Sequence, residues 1–187
     1  MQPYVTLDSV SSATPPPSAI VDEFWVYCRR ADWALADSET VGKWQLFVPR
    51  GRVDSAWAYV VELVQTGQLG PVAKVSTARP NPNSVGGRDL HVIIVYAPDW
   101  RDVVDVRRIL RALREAGLAR GWVHFKRDRE TLAGAYGNRG GRGVSVWNSR
   151  AGDEITTTWV TGKRVLVTDE NAVEVVDAIE GLDACTD

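Results

Sequence analysis

The chain is poor in the residues and motifs that announce most kinds of chemistry. It has two cysteines, Cys28 and Cys185, and neither belongs to a CxxC pair. That argues against a disulfide framework and a thiolate zinc site, and it fits a reducing, cytoplasmic compartment. It has only two histidines, His91 and His124, and no HExxH, GxSxG or paired metal-ligand spacing. Metal-dependent and serine-hydrolase mechanisms therefore find no support, and no metal or other cofactor is expected. No apolar run approaches the length of a membrane span. Met1 to Ser18 lacks the basic and apolar regions of a secretory signal. An excess of one charge is also missing. With 22 basic and 24 acidic residues the formal net charge is -2, so nucleic-acid binding by bulk electrostatics is not expected. A local basic cleft stays open.

What is present fits one globular domain. The 187 residues are 44% hydrophobic and 25% charged, enough to bury a sizeable core. Met1 to Ser18 is rich in Ser, Thr and Pro, with Pro15, Pro16 and Pro17 in a run, and reads as a flexible leader to a domain over residues 19–187. Phe24 to Arg29 reads as the first strand or a docking segment, and strands are expected at Gly42 to Val48, Val72 to Ala78, Leu90 to Tyr96 and Trp122 to Lys126. Val53 to Gln65 has apolar residues at 53, 56, 57, 60, 61 and 64, which is helical spacing. Asp102 to Gly117 is an amphipathic helix with Asp102 as its cap and Val103, Val106, Ile109, Leu110 and Leu113 as its stripe. Arg79 to Arg88 and Asn138 to Gly143 read as loops, and Glu130 to Tyr136 as a short helix between strands. Strands at Val144 to Trp147, Thr156 to Val160 and Arg164 to Thr168 follow closely. Asp169 then caps a last helix with Val173, Val176 and Ile179 on its buried side. The order implies an α+β fold: one curved, mostly antiparallel sheet with helices on one face.

Candidate chemistry rests on few residues. His91 opens a strand that is apolar on both faces. His124 lies between Val123 and Phe125 and reads as a structural histidine. Lys126 closes a strand and is followed by Arg127, Asp128 and Arg129. Lys74 lies between valines inside an apolar strand, where it either snorkels out or enters a polar cleft. An ammonium among other cations, or partly desolvated, loses its proton more readily and can act as a base. Arg127, Arg129, Arg139, Arg142 and Arg150 gather downstream, and guanidinium forks suit phosphate oxygens. Eight tryptophans are present; they fit core packing, or a platform for a base or a peptide.

Four segments carry a resemblance: GKWQLFV at 42–48, LGPVAKVSTA at 69–78, HVIIVYAPDWRDVVDVRRILRALREAG at 91–117 and HFKRDRETLAGAYGNR at 124–139. In this order they resemble the basophilic-leukaemia-expressed protein family and its actinobacterial relatives, over Trp25 to Trp147. The resemblance implies the fold of the cap-binding translation initiation factors. Such actinobacterial proteins also look like phosphothreonine lyases and the lyase domains of lanthipeptide synthetases. Those enzymes carry a strand histidine, matched by His91 in LHVIIVY, and a lysine in a later segment, matched by Lys126 in HFKRD. Asp89 stands where they carry a further lysine, and Lys74 is the residue that would replace it.

The resemblance implies β-elimination on a phosphoserine or phosphothreonine peptide, in a lanthipeptide-type pathway with kinase and cyclase partners. Lys126 would be the base, His91 the acid toward the leaving phosphate and Lys74 the stabiliser of enolate charge. Arg139 and Arg142, with Arg127, Arg129 and Arg150, would hold the phosphate. The alternative is a non-catalytic module of the cap-binding fold that recognises a nucleotide, RNA or a partner peptide through tryptophans. A third reading is an inert subunit that binds a peptide or enzyme partner on a Trp-lined surface. The reading separates on whether His91, Lys126 and Lys74 converge.

Overall fold

The computed structural model describes residues 6–7, 15–33, 39–80, 89–132 and 144–184. The expected loops at Arg79 to Arg88 and Asn138 to Gly143 lie largely or wholly outside the described residues. One sheet organises the molecule. Its strands are β1 (Thr6–Leu7), β2 (Trp25–Arg29), β3 (Gly42–Pro49), β4 (Val72–Ser76), β5 (Leu90–Ala97), β6 (Val123–Arg127), β7 (Trp147–Ser149), β8 (Ile155–Thr157) and β9 (Val165–Val167). Their spatial order is β1-β2-β4-β5-β3-β6-β7-β8-β9. Every pairing is antiparallel except β1 with β2. The α+β fold expected from the element order is the one observed.

Helix α1 (Val53–Gln65) and helix α2 (Val103–Glu115) cover one face of the sheet. The link to α1 is Gln65, whose amide donates to the Cys28 sulfur at 3.4 Å. The link to α2 is Trp44, fully buried, whose indole N–H donates to the Val106 carbonyl at 3.1 Å. All six expected apolar positions of α1 are buried, as is the whole α2 stripe. Asp102 caps α2 by accepting from the Asp105 amide at 3.0 Å. Helix α4 (Ala172–Ala184) adds Val175, Val176 and Ile179 to the same core. Among the described residues no helix is long and apolar enough to cross a membrane.

Three local expectations differ. Val173 is 73% exposed, and Val175 takes its place in the core. Asp169 pairs with Arg107, while Asn171 sits where the last helix begins: its carbonyl accepts from the Val175 amide. The leader is not wholly free. Thr6 and Leu7 pair with Tyr27 and Cys28, and Pro17–Ala19 forms a 3-10 turn. Proline's fixed φ suits that first turn, and Ser18 then donates through its amide (3.0 Å) and hydroxyl (2.6 Å) to Asp54 at the start of α1.

Close packing between turn and sheet is tightest at Gly70, between α1 and β4. A Cβ there would stand 1.7 Å from the Tyr96 carbonyl oxygen, whereas a Cβ at Gly51 would meet nothing within 4 Å. Gly70→Ala is therefore expected to lower unfolding free energy by about 2–3 kcal/mol in urea denaturation. Gly51→Ala should stay within about 0.5 kcal/mol of the parent. Equal effects of the two would contradict this packing.

Candidate functional site on the open sheet face

Side chains alternate between the two faces of a strand, so the register decides which candidate residues can meet. On the helix-covered face lie Trp44, Leu46 and Val48 of β3, His91, Ile93 and Val95 of β5, and Val123, Phe125 and Arg127 of β6. The opposite face carries Lys43 and Gln45 of β3, Lys74 of β4, Ile94 and Tyr96 of β5, and His124 and Lys126 of β6. The pairings place these in rows across the sheet. Tyr27, Lys74, Ile94, Gln45, His124 and Asn148 form one row, each the partner of the next. Tyr96, Lys43 and Lys126 form the neighbouring row.

Lys74 and Lys126 thus share the open face, and His91 does not. His91 is 3% exposed, and its Nδ1 donates to the Ser76 carbonyl at 2.8 Å. The expected convergence of His91 with the two lysines fails for a simple reason. Strand position fixes the face, and His91 occupies the parity of the core. The histidine on the lysine face is His124. Its Nδ1 donates to Asn148 Oδ1 at 2.7 Å, which fixes the ring and leaves Nε2 for other partners.

The arginines separate as well. Arg127 is 2% exposed on the core face and ion-pairs with Glu130. Its guanidinium lies 5.0 Å from the Trp100 ring centre and 4.5 Å from that of Trp159. It pins the sheet to the segment that follows and is not placed to hold a phosphate on the open face. Arg129 pairs with Glu39 at 3.5 Å and lies 3.6 Å from Glu130. Arg150 is exposed after β7. Arg139 and Arg142 lie outside the described residues.

Reading the motifs alone missed Lys43, the residue at the centre of the site. Lys43 is 2% exposed and ion-pairs with Asp128, which opens α3 (Asp128–Leu132). Its Nζ lies 5.7 Å from the Tyr96 ring centre. Lys74 Nζ sits 4.6 Å from the ring centre of Trp25, and 5.6 Å from those of Tyr27 and Tyr96. The signal for Lys43 was available: in GKWQLFV it alternates with the apolar Trp44, Leu46 and Val48, which places it with Gln45 on the other face.

The electrostatics follow from this crowding. Burial, and then repulsion from Lys43, lower the Lys74 pKa to about 8, with Asp128 opposing. The same two causes in the same order lower the Lys126 pKa. Burial, then Asp128, push the Tyr96 phenol well above its ordinary value, so it stays protonated. Among the described residues Asp128 is the one carboxylate in ion-pair contact with any of the three lysines. The arrangement can hold an anion, stack a planar group and present an amine that sheds its proton near neutral pH. No group of three or more His, Cys, Asp or Glu with metal-binding geometry occurs among the described residues.

Fold and site together define an α+β protein with a largely buried lysine-and-aromatic cluster on the sheet face opposite α1 and α2. The chain belongs to the family described as basophilic leukemia-expressed protein Bles03, whose model matches residues 31–129, more than half its length. The matched stretch contains Lys43, Lys74, Tyr96, His124, Lys126 and Asp128.

The Lys74 shift has a consequence for stability. Its folded pKa lies below the ordinary lysine value of 10.5. Between about pH 8 and 10.5 the unfolded chain therefore holds the extra proton, and stability rises with pH across that window. Below it both states are protonated, and the native state bears the full penalty of burial and repulsion. Lys74→Met should flatten this rise. It should also raise stability at pH 7 by about 1–2 kcal/mol. Urea midpoints measured at pH 7, 8.5 and 10 check both; a variant less stable than the parent at pH 7 would contradict the assignment.

Proposed function

We propose that the open sheet face binds a phosphorylated ligand, as a recognition module of the kind that pairs cations with aromatic platforms. The observation that carries this reading is the imbalance on that face: Lys43, Lys74 and Lys126 stand together, and among the described residues the one carboxylate in ion-pair contact with them is Asp128 on Lys43. A dianionic phosphate relieves their mutual repulsion and supplies acceptors to Lys74 and Lys126, for which the described residues offer no carboxylate in ion-pair contact. Trp25, Tyr27 and Tyr96 flank the site and offer π faces to the organic part of the ligand, such as a base or a planar side chain. The supporting feature is thus lysine with tyrosine and one tryptophan. Trp44, Trp57, Trp100 and Trp147 are core residues.

A second reading is kept because of one observation, the adjacency of His124 and Lys126 on the open face. Lyase chemistry resembling that of phosphothreonine lyases then runs with His124 in the role first expected of His91. Neutral Lys126 removes the α-proton, Lys74 stabilises charge on the carbonyl and His124 protonates the departing phosphate. The Cα–H pair becomes a new Cα=Cβ double bond as the Cβ–O bond breaks, Lys126 keeps the α-proton, and inorganic phosphate leaves with the proton from His124.

Titration with phosphoserine, a phosphothreonine peptide and a nucleoside monophosphate, followed by Trp25 fluorescence and calorimetry, tests the binding reading. Lys74→Ala and Lys126→Ala should each weaken affinity by about tenfold or more, the worth of one hydrogen bond to a charged group. His91→Gln should leave affinity unchanged, because its side chain is on the other face. If none of these ligands binds, the reading is wrong. Mass spectrometry of the same peptide separates the two readings. Loss of phosphoric acid that survives His91→Gln and disappears in Lys126→Ala and His124→Ala establishes the lyase; intact phosphopeptide leaves binding alone.

A further inference from the structure

The chain has eighteen arginines and four lysines: Lys43, Lys74, Lys126 and Lys163. Three of those four stand on one face of one sheet. The arginines serve structural ties, as in Arg101 with Asp99 and Glu180, Arg107 with Asp169, Arg111 with Asp153 and Arg127 with Glu130. In these ties the fixed positive charge is a guanidinium. A guanidinium keeps its proton at any accessible pH, and an ammonium can lose one and become a nucleophile. The open face therefore holds the chain's amines where amine chemistry would need them.

Lys74 differs from its two neighbours. Lys43 is tied to Asp128. Lys126 lies within β6 directly opposite Lys43. Lys74 Nζ has no carboxylate in ion-pair contact among the described residues, and it lies within 5.6 Å of three ring centres. Such an environment is partly dry, with Lys43 as a nearby cation. The rings act in the opposite sense, since their π faces favour the ammonium. A pKa lowered to about 8 leaves both forms populated near neutral pH.

We propose that Lys74 is a nucleophilic amine that condenses with the carbonyl of a phosphorylated aldehyde or ketone seated on the open face, giving an imine. This rests on that face being a phosphate-ligand site, and it names the class of ligand. The lone pair of neutral Nζ forms a bond to the carbonyl carbon, and the carbonyl π pair moves to oxygen. Nitrogen loses a proton and oxygen gains one, giving the carbinolamine. Loss of water then leaves the C=N bond, so one amine and one carbonyl become one imine and one water. No oxidant or reductant is involved. Lys43 and Lys126 would hold the phosphate, and the rings of Trp25, Tyr27 and Tyr96 would border the carbon skeleton.

Pyridoxal 5'-phosphate is the probe, with unphosphorylated pyridoxal as its control. The full chain is incubated with each aldehyde at equal concentration and reduced with borohydride, and the adduct on each lysine is quantified by peptide mass spectrometry. Lys163, which is exposed and lies in a turn before β9, is the internal reference. With the phosphorylated aldehyde Lys74 should be labelled about tenfold or more above Lys163, because the neighbouring lysines hold the phosphate and bring the carbonyl to Lys74. The labelling rate should rise with pH through about 8. Lys74→Arg keeps a cation beside the rings but removes the amine nucleophile, and it should lose the adduct. Equal labelling of Lys74 and Lys163, or preferential labelling of Lys43 or Lys126, overturns the proposal. Preferential but equal labelling of Lys74 by both aldehydes overturns the phosphorylated class. Binding of phosphorylated ligands without Lys74 labelling overturns the imine and leaves the binding reading standing.

Discussion

The sheet and the lysine cluster on it depend on the register of β3. This strand pairs with β5 along its whole length and with β6 over Gly42–Gln45, so its parity is imposed on the centre of the sheet. Trp44 fixes that parity. Its indole is fully buried, meets Phe125 edge-on at 5.1 Å and is held by the Val106 carbonyl. Gly42 makes room on the same face, since a Cβ there would stand 2.2 Å from the Phe125 ring. A slip of one residue would bring Lys43 and Gln45 into the core and carry Trp44 out of it. The large apolar area that Trp44, Leu46 and Val48 bury makes that slip prohibitive. The placement of the lysines is thus a by-product of how the aromatic core is packed.

The same parity explains how far the sequence could be read. The helices were legible because α1 and α2 carry continuous stripes that alternate every three or four residues, and Asp102 is an unambiguous cap. The sheet was legible as a set of strands. Lys74 and Lys126 were legible as candidates, and their common face follows from pairing through β5 and β3. His91 misled because β5 is apolar on both faces, so nothing in LHVIIVY says which parity is covered by helices. Only the pairing of His91 with Val48 and of Ile93 with Leu46 decides it. Lys43 went unread for the opposite reason. Its strand does alternate cleanly, but motif matching gave weight to the histidine and the arginines instead.

Arg127 illustrates how an arginine next to a candidate site can belong to the scaffold. It follows Lys126 directly and so must point the other way. There it is enclosed by Trp100 and Trp159 and neutralised by Glu130. Its delocalised, weakly hydrated cation tolerates that enclosure better than an ammonium would. One dipeptide therefore sends a structural cation into the core and an amine to the open face. Asp128, the next residue, turns the chain and reaches Lys43. Three consecutive side chains tie the core, the site and the ion pair together.

The open face is locally at odds with stability. Two of its lysines have lowered pKa values because burial and a neighbouring ammonium both disfavour their charge. A chain selected for stability alone would place apolar or unlike-charged residues there, and arginine is the cation it uses elsewhere. Local conflict of this kind, inside a fold whose other levels agree, is a common signature of functional sites, and it is what the proposed ligand rests on. The sign of the conflict sets the chemistry that would relieve it. Excess positive charge is relieved by an anion, aromatic rings beside it favour a flat or apolar attachment, and a phosphate on an organic skeleton meets both conditions. The Lys43–Asp128 pair limits the excess positive charge without removing it, so the folded chain tolerates the crowding that an anion would relieve.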